Sequence, residues 1–420
     1  MLRNINRSSF SIVCPVFLAI VAATVDLARG VTPPEVGQGP CSQTIEEGAT
    51  VVFSVDAVDD SQNPNVDGNT DIGAAASQDS DHGGEATKYQ WLRGGTPLVG
   101  ASESVLIIKN ASSADAGSYR CSLSNSAGSV LSDVATLHVV KASIPGRLIR
   151  MSCRTFSGLG EDRLTAGFVI GSTSMLGQAP VSMRASGPGL LDQGVERALP
   201  YPALVLRDTS GVIALSRGWA GERKLAAGNT GTVEKPDALG RDSALNRALP
   251  CGAYTAEIFG DKGDTGFADA QILDASLPSQ WVPGAAHLVN ASIRSPVGLG
   301  PNVPVMRFSI GGSTSITLLI RGMGPALRSL GISRVLETPS LLLYRINGDS
   351  SQTWLQSNTR WGGKHYLSDI ARKVGAFPWK SDLTADATIL LTLPPADYLL
   401  ILAGANGETG VALMELYEIP

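Results

Sequence analysis

The sequence predicts an all-β protein built from antiparallel sandwiches, and three observations carry that expectation. The chain holds 47 glycines and 24 prolines in 420 residues beside few long helix-like patterns, which points to many short strands joined by turns. Its apolar segments alternate with period two and are bounded by Gly, Asn, Asp or Ser, as half-buried strands require. From residue 147 onward the chain is an internal duplication, so whatever one copy folds into, the other repeats.

Residues 1–30 read as a secretory signal peptide. Arg3 and Arg7 precede the apolar run Phe10 to Val25, and Ala28-Arg29-Gly30 places small residues at the −3 and −1 positions of a cleavage site. The competing reading, an uncleaved anchor, needs ~20 apolar residues, and this run is shorter. Removing the segment takes Arg3, Arg7, Arg29 and Asp26, which leaves the chain about two units more negative than its full net charge of −5. A mildly acidic exported chain has no electrostatic reason to seek nucleic acid. No second long apolar run follows, so no membrane span is expected after signal removal.

Residues 36–140 form the first expected domain. "TIEEGATVVFSVDA", "KYQWLRGGTPLVG", "SVLIIKNASSADAGSYRCSLSNSAG" and "SVLSDVATLHVV" each carry the strand alternation. Trp91 in "YQW" stands where a buried tryptophan packs across two sheets, and "DAGSYRC" places Tyr119 two residues before Cys121. On these residues the segment resembles the immunoglobulin superfamily, and "LSNSAGSV" is similar to the hairpin of its intermediate-set and bacterial members. The resemblance implies a two-sheet sandwich and a bridge to Cys121 from the second strand. The position for that partner is Val55, by the spacing from Gly48 and the alternation Val51, Phe53, Val55, and a valine fills a core without a bridge.

The segment 58–87 lengthens this domain. It contains Asp59, Asp60, Asp67, Asp71, Asp79, Asp81 and Glu85 and no Lys or Arg, so it reads as a solvated acidic loop. Within it Asp67, Asn69 and Asp71 alternate as oxygen ligands do in calcium loops. Ile72 stands where such loops need glycine and Gln78 where they need a bidentate carboxylate, which favours the plain acidic loop over calcium.

The duplication pairs "RLIRMSCRTFSGLGEDRLTAGFVIGSTS" with "HLVNASIRSPVGLGPNVPVMRFSIGGSTS" and "LPCGAYTAEIFGDKGDTGFADAQILD" with "LPPADYLLILAGANGETGVALMELYE". It defines modules at 147–275 and 287–420, each expected to be a sandwich-like antiparallel unit, with a short helical turn at "GPALRSLGI" in the second. The heads of the two copies resemble the R-L-x-N-x-S-x-R repeat modules that sit beside immunoglobulin-like domains in secreted bacterial proteins. That resemblance implies location and architecture, and no activity.

Catalytic chemistry has no foothold here. His82, His138, His287 and His365 are isolated and no C-x-x-C pair occurs, which argues against zinc, and neither a G-x-S-x-G elbow nor a phosphate loop is present. Arg184 and Arg321, each before a Gly-Pro, read either as anion binders or as braces for a turn or a neighbouring acid, with the structural role favoured. Trp219 and Trp361 are equivalent and suit a module core; Trp354, Trp379 and Tyr366 lack counterparts and are the candidates for a sugar platform, against packing. Of the cysteines left after signal removal, Cys153 and Cys251 occur in copy one where copy two has Ile293 and Pro395, which suggests a copy-specific disulfide. Cys121 is then free or joined to Cys41. The expectation is a non-enzymatic secreted or cell-surface protein for adhesion or binding, without cofactor, taking an extracellular protein or glycan. The alternative is a carbohydrate-binding or accessory module of an extracellular degradative system.

Overall fold

The structure is a computed structural model that describes residues 32–57, 87–141, 144–171, 175–218 and 240–420. The expected signal peptide, the acidic segment up to residue 86 with Asp67, Asn69 and Asp71, and Trp219 lie outside the described residues. Among the described residues the regular secondary structure is nearly all strand. Among the described residues no helix is long and apolar enough to cross a membrane.

The first domain contains β1 (Val36–Gln38), β2 (Gln43–Glu46), β3 (Val51–Ser54), β4 (Asp56–Ala57), β5 (Lys88–Arg93), β6 (Thr96–Pro97), β7 (Val105–Ile108), β8 (Gly117–Asn125), β9 (Gly128–Leu131) and β10 (Ala135–Val140). One sheet runs β2-β10-β8-β5-β6, with β9 also on β8; opposite it, β3 pairs with β7 and β1 with β4. Val51, Phe53 and Val55 point inward to meet Trp91, Tyr119 and Cys121 in one buried core, as the period-two pattern requires.

Copy one supplies β11 (Arg147–Ser157), β12 (Leu164–Ile170), β13 (Gln178–Ser186), β14 (Pro202–Asp208), β15 (Gly211–Ser216), β16 (Ser243–Pro250), β17 (Gly252–Gly260) and β18 (Gly266–Asp274). Copy two supplies β19 (Leu288–Val297), β20 (Val305–Gly311), β21 (Ile316–Met323), β22 (Pro339–Ile346), β23 (Gln352–Asn358), β24 (Ala387–Leu393), β25 (Ala396–Gly404) and β26 (Gly410–Ile419), with helix α1 (His365–Lys373) before β24. Two eight-stranded sheets result, β16-β13-β18-β11-β20-β25-β22-β23 and β15-β14-β17-β12-β19-β26-β21-β24. Numbered within a copy, the strand orders are 1-8-3-6 on one sheet and 2-7-4-5 on the other, the arrangement of a jelly roll.

The copies are not separate sandwiches. β11 pairs with β20 through Cys153↔Met306 and Met151↔Phe308, and β12 pairs with β19 through Ala166↔Ile293 and Phe168↔Ala291, so each sheet runs unbroken through both. The two seams carry the same register under the repeat offset, so they are related by a pseudo-twofold. That axis lies along the strands, because the short turn 158–163 makes β12 run opposite to β11.

The motif shared by the copies follows from close packing. A Cβ at Gly158 or Gly298 would fall 2.8 or 2.7 Å from the side chain of Asp162 or Asn302, and Gly160 and Gly300 take φ of 58° and 55°. Tyr254 stacks on Phe168 at 5.4 Å and donates to Pro250 O; Tyr398 stacks on Phe308 at 5.1 Å and donates to Pro394 O. Asp242 Oδ1 accepts the Gly187 N–H at 2.9 Å and Asp386 Oδ1 the Gly324 N–H at 2.8 Å, which pins the two Gly-Pro turns and the short 3₁₀ helices that follow them.

Candidate binding face of the first domain

The first domain docks on copy two, from which it is separated in sequence by all of copy one. Val52 points away from the domain's core and is buried with Leu319, Met323 and Leu390 of β21 and β24, where Val105 and Ile107 join it. Fully burying one valine contributes about 1.5–3 kcal/mol. Polar contacts fix the register: Gln43 Nε2 donates to Thr392 O at 2.9 Å, Thr50 Oγ1 to Pro420 O at 2.8 Å and Ser315 N to Thr44 O at 2.6 Å. Lys364 and Glu103 form an ion pair at 3.7 Å. The β3–β7 sheet is therefore covered on both sides.

Among the described residues, that leaves the outer face of the six-stranded sheet open. Tyr89 and Trp91 turn inward, so Gln90 and Leu92 on β5, Arg120 and Ser122 on β8 and His138 on β10 form the outward rows, with Leu131 46% exposed beside them. At its rim the β5–β6 turn and the start of β8 enclose a shallow cleft lined by Arg93, Gly94, Thr96, Leu98 and Ser118, next to a fully exposed Val99. Edge strand β6 is two residues long and contains Pro97, which has no N–H, so this rim is poorly suited to adding a strand and presents side chains instead.

The face is held by a brace around Tyr119. Its hydroxyl donates to Asp115 O at 2.6 Å, four residues upstream. The Ser112 backbone N–H and hydroxyl both donate to Asp115 Oδ2, at 2.9 and 2.8 Å, and these bonds hold the Asp115 carboxyl below the usual carboxylate range. Arg93 donates to the carbonyls of Ala114 and Ala116. Trp91 Nε1 donates to Glu103 O at 3.0 Å, and Phe53 packs 6.2 Å from Trp91 and 5.1 Å from Tyr119.

The expected disulfides are absent. Cys41, Cys121, Cys153 and Cys251 are all free thiols, so the copy-specific bridge of Cys153 to Cys251 is corrected. Cys153 is enclosed mid-strand between Ala270 and Met306, while Cys251 sits in the turn into β17 against Gly171. Cys121 occupies the core with Val55, and burial pushes its thiol up to about 11; burial also raises the thiol of Cys153. Both are poor thiolates.

The aromatic candidates for a sugar platform separate. Trp379 is buried and stacked on Trp361 at 4.3 Å, and Tyr366 packs against the same cluster, so neither offers an open ring face. Trp354 is half-buried on the outer strand β23. Arg321 is wholly buried, donates to Glu415 at 2.8 and 2.6 Å and to Phe377 O, and lies over Phe377 and Trp379 at 4.6 and 4.8 Å. It is a brace of the second core, and its counterpart Arg184 stands opposite Gln271 as Arg321 stands opposite Glu415.

Four acids outside the acidic segment are structural. Asp242, Asp274, Asp386 and Glu415 are buried, and each serves a turn or an arginine. Among the described residues no group of three or more His, Cys, Asp and Glu is placed to hold a metal ion.

Residues 76–139 match the family model of the immunoglobulin domain. The first domain is immunoglobulin-like. Solved structures similar to this chain include the N-terminal Ig1-2 module of the Drosophila receptor protein tyrosine phosphatase DLAR, at 22% identity over 26% of this chain and 45% of that one, with a TM-score of 0.19. The titin M3 domain matches at 19% identity over 26% of this chain and 98% of that one, with the same TM-score. The chain thus spans less than half of the receptor module. No curated protein matches.

Proposed function

We propose that this is a non-enzymatic binding or adhesion protein of the cell exterior, with the double jelly roll as a rigid platform and the open face of the immunoglobulin-like domain as the surface presented to an extracellular protein. The observation that carries this reading is the asymmetry of the first domain. One face is consumed by docking on β21 and β24, while the other leaves Leu92, Arg120, Leu131 and the Val99 rim uncovered. An apolar anchor beside an arginine, ringed by polar residues, is the composition of protein-binding hot spots. Export through residues 1–30 belongs to the same proposal, and a mature N-terminus at Val31 by mass spectrometry tests it.

The binding test compares the secreted chain with Leu92→Asp and Val99→Asp variants on the surface of the producing cells. Retention by the parent and loss in both variants supports the proposal; equal retention of all three sinks it. A glycan ligand retains one observation, the half-buried Trp354 on β23. A glycan array separates the two: signal that disappears with Trp354→Ala favours the sugar reading, and a blank array removes it.

A further inference from the structure

Unpaired strand edges are reactive, and among the described residues the outer strands of the two long sheets differ in how they are protected: β24, β16 and β23 by cover, charge, proline or polarity, β15 by a bulge alone. β24 lies under the first domain, with the Val52 N–H on Thr392 Oγ1. β16 carries Arg247 and ends at Pro250, and β23 reads Gln-Thr-Trp-Leu-Gln-Ser-Asn, which is mostly polar. β15, the opposite end of the sheet from β24, reads Gly-Val-Ile-Ala-Leu-Ser, without charge or proline. Its inward residues Ala214 and Ser216 face Leu206 and Leu204 of the core strand. Val212, Ile213 and Leu215 are 55%, 42% and 42% exposed, and the bulge opposite Leu206 and Arg207 turns Ile213 out of the ladder. Among the described residues only β14 pairs with β15.

We propose that β15 is a self-docking strand through which two copies of this chain associate, antiparallel and about a twofold axis, so that the eight-stranded sheet continues from one molecule into the next. Two features select a second copy as the occupant. The chain already joins its own repeats by antiparallel edge pairing, at β11–β20 and β12–β19, so the jelly roll tolerates sheet extension. The segment is also self-complementary in charge. Asp208 precedes the strand and Arg217 follows it, and antiparallel pairing sets each Arg217, now on Asp261 at 2.5 Å, beside the Asp208 turn of the partner. Val212 then meets the partner's Leu215, both on the outward face. One six-residue strand pair is smaller than a standard interface of ~1,600 Å², so the association is weak, in the micromolar range.

Sedimentation velocity on residues 31–420 carrying Cys41→Ser, which removes the exposed thiol, over about 1–200 µM tests this. The expected result is a monomer–dimer equilibrium whose Kd rises at least about tenfold in Val212→Lys and, separately, in Leu215→Lys, with melting unchanged, while Gln356→Lys on β23 leaves it alone. In a Val212→Cys/Leu215→Cys variant, oxidation should give a covalent dimer linked 212 to 215. A chain that stays monomeric throughout, a dimer indifferent to both lysines, or a cross-link pattern that excludes 212–215 would overturn the proposal.

Discussion

Replacing Thr392 with valine tests whether the two parts of the molecule are truly one body. Four groups form a chain of hydrogen bonds across the docking interface. The Val52 N–H donates to Thr392 Oγ1 at 2.7 Å, Thr392 and Thr317 share a bond of 2.7 Å, and Thr317 Oγ1 donates to Thr50 O at 2.5 Å. A hydroxyl has one proton, and Thr317 has spent its proton on Thr50, so Thr392 is the donor between the two threonines. Valine keeps the shape and removes both functions of that hydroxyl, leaving the buried Val52 N–H without an acceptor. An orphaned buried donor costs about 1–3 kcal/mol, roughly a 5- to 150-fold increase in opening of the interface. The direct readout is amide hydrogen exchange at Val52, which should accelerate by that factor. Thr353→Val on β23, whose hydroxyl accepts from Asn347 at the surface, should shift stability by no more than about 0.5 kcal/mol. If Val52 exchange in Thr392→Val stays within about twofold of the parent, the docked arrangement does not govern the protection of β3, and the reasoning fails.

Arg321→Met removes one half of a buried pair and strands Glu415 among aromatic rings, so it should destabilise copy two by about 3–5 kcal/mol in urea unfolding, with partial recovery in Arg321→Met/Glu415→Leu. His287 is the repeat counterpart of Arg147, and Glu418 that of Asp274; burial lowers the imidazole pKa, but the charge and hydrogen bond of Glu418 at 3.2 Å, with the bond to Ala285 O, outweigh burial and Arg147 and leave it raised above 6.5. Its contribution is therefore present below about pH 6.5 and lost as pH rises through the folded value, and His287→Asn should flatten the fall in stability on going from about pH 6 to 8 in a melting series. Val55→Cys restores a cysteine in the core that holds Cys121. Oxidation should then form the bridge and raise stability by about 2–4 kcal/mol over the reduced form; a mass map showing both thiols free would count against their facing each other.

The elements were legible where one physical rule sets them. Tyr119, Trp91 and the alternation of Val51, Phe53 and Val55 define the first sandwich, because a core that must be filled from two sheets admits few patterns. The duplication announced two equal β units. It did not announce that they share sheets, since edge pairing is a backbone event to which any alternating strand is suited. A sign of the docking, though not of the shared sheets, was present: "SITLLI" and "ATILLTL" break the alternation, and both strands prove buried on two faces, against the sandwich core on one side and Val52 with the Trp361–Trp379 stack on the other. The disulfide inference failed because absence from copy two says that two cysteines belong to copy one, and nothing about their separation in space. The open face of the first domain was invisible to sequence, since exposure there is decided by what copy two covers.

The two copies share a core scaffold and differ at their outer surfaces, and the outer difference orders the molecule. Phe168 and Phe308, Tyr254 and Tyr398, and Asp242 and Asp386 hold the same places in both, so these shared groups give the first domain no reason to prefer either copy. The outer surface gives one. Thr317 and Thr392, opposite each other on β21 and β24, correspond to Pro180 and Ala248 on β13 and β16, which offer neither the hydroxyl acceptor nor the donor that docking uses. The first domain is thereby fixed at the β24 end of its sheet, and β15 is left at the other. Pairing through β15 would hold two immunoglobulin-like domains at the far ends of a continuous sixteen-stranded sheet, up to roughly 70 Å apart at the ordinary strand spacing. If the open face binds as proposed, two copies of it on so rigid a spacer would engage a dense surface far more tightly than a single soluble partner. Leu215→Lys should therefore weaken retention on cells and leave one-to-one affinity for any isolated ligand unchanged, whereas Val99→Asp should lower both.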